Sequence, residues 1–181
     1  MANYLPNLER VLGWIRFDQE RDGVIQMLRC FDERLFTAQH LQTLVDSGSL
    51  KTAIHVLDTF GHIIPAQMAF DKLATFGEAT ENLDEKTQAL QRIDHLLQAD
   101  PQLNTRTNLK IAVGWFRNLP VIRDNDRYGL RADTMWSVRQ KVVDILSRFY
   151  RGYFDADLTL DILGTGHFSN TLAALEHFGD R

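Results

Sequence analysis

Apolar residues recur at the three- and four-residue spacing of an amphipathic helix along almost the whole chain. Leu5, Leu8, Leu12 and Ile15, with Trp14 beside them, open the series. Asp22-Gly23 reads as a break, after which Val24, Met27, Leu28, Phe31 and Leu35 form a second stripe. Thr37 and Ser47-Gly48-Ser49 punctuate the next stretch, which predicts short helices near 38–46 and 50–64. The core side of the second of these is expected at Leu50, Ala53, Ile54, Leu57 and Ile64. Pro65 suits the first turn of a helix, where its missing N–H is not needed. Ala66, Ala69, Phe70, Leu73 and Phe76 follow at helical spacing, with Gly77 as a C-terminal stop.

Leu83, Leu90, Ile93, Leu96 and Leu97 make the next stripe, which ends at Asp100-Pro101. Segment 107–119 is apolar on most sides, as a buried central helix is, and Pro120 ends it. Residues 120–130 form the longest irregular polar stretch. From 131 to 153 runs the longest clean amphipathic pattern, with Tyr150 and Tyr153 on its apolar half and Lys141, Arg148 and Arg151 on its polar half. Leu158-Thr159-Leu160-Asp161-Ile162 alternates like a strand, but a lone strand has no partner here, so helix or loop is expected. A short helix at 169–178 closes the chain. The sum is an all-α fold, a single domain over 1–181 built as a bundle of about seven to nine helices. Segments 107–119 and 131–153 are its expected central pair.

Composition agrees with this picture. At 181 residues a domain buries roughly two-thirds of its unfolded surface, so no metal or disulfide staple is required. The chain is 44% hydrophobic and 24% charged, too apolar to stay disordered. Its single cysteine, Cys30, cannot form an internal disulfide, and apolar neighbours make it read as a small buried hydrophobe. Met1 to Pro6 lacks a basic leader region, and no stretch approaches the 18 or so apolar residues of a membrane span. The expected location is the cytoplasm, with no membrane partner.

Charge changes the picture more. The net charge is −4, but it is unevenly spread. Residues 106–151 hold ten lysines and arginines against four acids, whereas the remainder holds ten against twenty. Arg117, Arg123, Arg127 and Arg131 cluster about the polar loop, with Tyr128 among them and Trp115, Phe116, Trp136, Phe149 and Tyr150 interleaved. Arginine beside aromatics is the composition of protein-interface hot spots and also of single-strand nucleic-acid grooves. The same basic stretch could instead pair internally with the acidic run Glu78 to Asp100.

Other constellations weigh less. His55, Asp58 and His62 share a helix face, as metal ligands do, but that face lies away from the expected core and reads as solvated. Asp124-Asn125-Asp126 opens like a calcium loop, yet Tyr128 and Met135 stand where oxygen ligands are needed. Gly164-Thr165-Gly166 precedes a helix, but too little chain follows for a dinucleotide fold, and a turn is the plainer reading. The six histidines are scattered and offer no readable nucleophile–base pair. No metal, no cofactor and no catalytic residue is therefore expected.

Arg139 differs from the other arginines. On the 131–153 wheel it falls between Met135 and Val143, inside the apolar half. Its charge there demands an anion or carbonyl acceptors, with Asp94 and Asp161 as candidates, unless the head group snorkels to water. The function expected is that of a non-catalytic protein-interaction or regulatory helical protein, with Arg117, Arg123, Arg127, Tyr128 and Arg131 as the partner-binding set. A nucleic-acid-binding module using 106–151 is one rival. A small-molecule-binding or enzymatic helical domain, with a pocket among the aromatics, is another.

Overall fold

The computed structural model of the protein describes residues 7–15, 21–46, 48–117 and 130–163. Among the described residues there are nine α-helices and no strand. They are α1 (Leu8–Trp14), α2 (Arg21–Leu28), α3 (Ala38–Asp46), α4 (Leu50–Phe60), α5 (Ala66–Ala79), α6 (Leu83–Ala99), α7 (Arg106–Arg117), α8 (Leu130–Arg148) and α9 (Ala156–Leu163). Single 3-10 turns stand at Glu33–Leu35, Pro101–Leu103 and Arg151–Tyr153. The all-α reading of the periodicity holds, and the alternating run 158–162 lies in α9. The expected helix at 169–178 and most of the loop 120–130 fall outside the described residues. Contacts divide the chain into two compact units, Met1–Lys72 and Leu73–Arg181.

In the first unit, α1 packs on α2 and α3, and α4 packs on α2 and α3. Val11, Leu12, Val24, Ile25, Leu28, Leu44, Val45 and Val56 are buried among them. Caps set the helix starts: Asn7 accepts the Glu9 N–H at 3.0 Å, and Ser49 caps α4. Several expectations shift here. Asp22-Gly23 is no break, because α2 begins at Arg21 and runs through both. The second stripe is interrupted after Leu28, where Asp32 caps the 3-10 turn by accepting the Arg34 N–H at 3.0 Å. A local side-chain bond of this kind competes with helix continuation. Met27 and Leu35 end up exposed, and so does Cys30, which is not a buried hydrophobe. The core face of α4 is Leu50, Ala53, Val56 and Phe60, with Ile54 and Leu57 only half-buried, and the Phe60 ring packs on Phe36 at 5.6 Å.

In the second unit, α8 is the hub. Its main partner is α6, with α7 beside it and α9 against α7. The central pair is thus α6 and α8, not 107–119 with 131–153. Ala89, Leu90, Ile93 and Leu97 of α6 meet the buried α8 row Val138, Val142, Ile145 and Leu146. Segment 107–119 is not apolar all round, because Thr107 and Lys110 are exposed. Gly77 does not stop α5, which continues to Ala79. The longest helix ends at Arg148, five residues before the apolar pattern does.

Candidate functional site

The early end of α8 is made by a residue far away in sequence. Asp100 caps the turn Pro101–Leu103 by accepting the Gln102 N–H at 2.9 Å. Thr105 accepts the Asn108 N–H at 3.1 Å at the start of α7. Asn108, buried, donates from Nδ2 to the Leu103 carbonyl at 2.8 Å. Between these two local bonds Asn104 is held facing the end of α8. Its Nδ2 donates to the Arg148 carbonyl at 2.9 Å, and its Oδ1 accepts the Tyr150 N–H at 3.0 Å. One amide side chain thus satisfies a terminal carbonyl of the helix and an amide that would otherwise continue it.

Tyr150, Arg151, Gly152 and Tyr153 follow. Tyr150 is 66% exposed, and it stands in the 3-10 turn region rather than on the buried half of a helix. Its ring lies over Gly152, so closely that a Cβ there would fall 2.3 Å from the Tyr150 ring. The half-buried Tyr153 meets it edge to face, with centroids 5.4 Å apart and planes at 85°. Arg151 is exposed beside them. Tyr150 and Tyr153 thus lie beyond the end of α8 and not on its apolar half.

Two ion pairs flank this turn. Arg148 donates from Nε to Asp94 Oδ1 at 2.9 Å, joining α8 to α6. The Asp94 side chain is only 14% exposed, and its hydrogen bond holds the Arg148 guanidinium above its ordinary pKa. Arg148 is therefore not the idle polar-face residue that the helical wheel implies, and Asp94, a candidate partner for Arg139, serves Arg148. Here the basic segment does pair with the acidic run. Arg106 of α7 pairs with Asp155, which also caps α9 by accepting the Leu158 N–H at 2.9 Å. Beyond that pair a cleft of about 330 Å³ opens between α7 and α9. Arg106 and Lys110 line one wall, and Asp155, Asp157 and Asp161 the other.

Arg139 is 4% exposed, and burial lowers the pKa of its guanidinium. Its side chain is engaged in interactions of its own. The five partner-binding candidates fall differently. Arg123, Arg127 and Tyr128 lie outside the described residues. Arg117 closes α7 and Arg131 lies in the first turn of α8, with their side chains outside the description.

The histidine set of the first unit separates. His55 Nδ1 lies 2.9 Å from Asp22 of α2, and His62, in the turn past α4, lies 2.6 Å from Glu33. Asp58 is exposed between them. No group of three or more metal-ligating side chains converges among the described residues. At the N-terminus of α4, Arg21 donates to Ser49 at 3.1 Å and to the buried Thr52 at 2.6 Å. Gly48 lies beneath that guanidinium at φ +86°, a conformation that suits glycine. Among the described residues no helix is long and apolar enough to cross a membrane.

The periodicity missed Asn104, Tyr150 and Gly152 as a group. The one local signal was the glycine inside Tyr150-Arg151-Gly152-Tyr153, on an otherwise unbroken helical pattern. No known protein family, curated protein or solved structure matches the chain.

Proposed function

We propose that this chain is a non-catalytic, regulatory helical protein that binds another protein. The observation that supports the reading is Tyr150, a large aromatic side chain 66% exposed to water and yet held in place. An exposed side chain ordinarily keeps its rotamer freedom, and ordering one costs free energy. Tyr150 is instead seated on Gly152, braced by Tyr153 and tied at its backbone by Asn104. Tyrosine and arginine are the residues that dominate binding energy at protein interfaces, and Arg151 is exposed next to it. Arg117, Arg123, Arg127, Tyr128 and Arg131 are proposed as a second contact stretch of the same unit.

The test is affinity capture with the full chain as bait in extract of its source cells, comparing wild type with Tyr150→Ala and with Arg123→Ala/Arg127→Ala. A protein retained by wild type and lost with Tyr150→Ala supports the reading. Identical captures from all baits sink it. The same variants in fluorescence anisotropy with a single-stranded oligonucleotide, at about 150 mM salt, test the nucleic-acid rival. Tight binding that disappears with Arg123→Ala/Arg127→Ala would replace the protein reading, although twenty acidic residues outside 106–151 oppose it.

A further inference from the structure

We propose that Asn104 and Gly152 are positioning residues that present Tyr150 as a preformed anchor for the partner; this rests on the interaction reading above. The geometry divides the task between them. Asn104 sets where the backbone leaves α8. By accepting the Tyr150 N–H at 3.0 Å and donating to the Arg148 carbonyl at 2.9 Å, it turns the chain out of the helix one residue before the tyrosine. Had α8 continued, Tyr150 would lie on the apolar half of the helix, as the wheel places it. Gly152 then sets where the ring goes. The Tyr150 ring occupies the space of the missing Cβ, a 2.3 Å approach that any other residue type closes. Tyr153 supplies the edge-to-face contact that fixes the ring's tilt at 85°.

The functional consequence is that the partner does not have to order the anchor on binding. Immobilising a side chain at an interface has an entropic cost, and a side chain already held has met that cost in folding. Asn104 itself is half-buried and points its amide at main-chain atoms, so it acts on the partner only through the tyrosine. A residue with a merely structural role would lower the melting temperature when removed and leave the ring of any folded molecule where it was. A positioning residue moves the ring.

The experiment places 3-fluorotyrosine at position 150 of the full chain and records its fluorine spectrum in wild type, Asn104→Ala and Gly152→Ala. In wild type the resonance is expected to be displaced from that of free 3-fluorotyrosine by the Tyr153 ring, and broadened by slow ring motion. Both variants are expected to shift it toward the free value and sharpen it, with the helical circular dichroism retained. Gly152→Ala changes only the ring's seat, so the idea stays testable if Asn104→Ala fails to fold. A wild-type resonance already sharp at the free value overturns the proposal, and so does a resonance unmoved by both variants. The two readings fail separately. A displaced resonance with no partner lost on Tyr150→Ala ends the interaction reading alone, whereas a partner captured through a mobile Tyr150 ends the positioning role alone.

Discussion

The outer side of α4 and the end of α8 are both tied to neighbouring segments by polar side chains, but by different means. At α4 the links are His55 with Asp22 and His62 with Glu33, side chain to side chain, with His62 and Glu33 each 57% exposed. At the end of α8 the links are an amide bonded twice to the main chain, and an arginine on a carboxylate only 14% exposed. Exposed pairs hold two mobile side chains in one geometry against water and salt, and the balance is close to zero. An amide on main-chain groups also decides where a helix stops. The first kind of contact decorates a fold that other contacts determine. The second kind shapes it.

That contrast can be broken in graded ways. The largest effect is expected from Arg139→Ala, which removes a stem packed in the core of the second unit together with the interactions of its buried head group. A loss of about 3 kcal/mol in urea denaturation is expected. A loss below about 0.5 kcal/mol, the size of an ordinary surface change, would mean the head group reaches water. Next comes Asn104→Ala, expected to cost about 1–2 kcal/mol for two main-chain hydrogen bonds. A cost no larger than that of His62→Ala would erase the distinction between the two regions.

Arg148→Ala should cost about 1 kcal/mol, and little of that should vanish on raising salt, because the Asp94 side of the pair is shielded. Strong salt dependence would class it with the α4 links. Lys86 of α6 adds a pH test. Desolvation by burial lowers its pKa from 10.5, with Glu78 opposing in part. The unfolded chain then keeps its proton to higher pH than the folded one. Stability gains a positive slope from this residue in the window just below about 10.5, and Lys86→Met should remove that contribution. Equal slopes in the two proteins would show the amine to be fully solvated. The smallest effect, under about 0.5 kcal/mol, is expected from His62→Ala.

Much of the fold was legible because it depends on local spacing. The bounds of α3 and α6 follow from periodicity and caps, and the lack of a partner strand was enough to keep 158–162 out of a sheet, though not to choose helix over loop. The anchor turn was not legible, because its one local mark is Gly152 and a single glycine is tolerated inside a helical pattern. The stop is Asn104, 46 positions before Tyr150. The face of α4 was misjudged as well: Val56 and Phe60 are buried, Ile54 and Leu57 only half-buried, and Phe60 meets Phe36 from outside the helix. The burial of Arg139 could be read from the wheel, since its neighbours alone place it on the apolar side. Partners across space are beyond any one-dimensional pattern.

The same 46-residue separation gives the Asn104 contact a place in time. A bond between residues that far apart closes a long loop, and its entropic cost has to be met before the contact returns anything. Packing of α6 on α8 brings the two ends together, so the amide can lock only after that docking. With that docking as the rate-limiting step, the contact is expected to be absent from the barrier to folding and present in the barrier to unfolding. In stopped-flow chevrons, Asn104→Ala should leave the refolding arm where it is and raise the unfolding arm, making the asparagine a brake on the loss of structure.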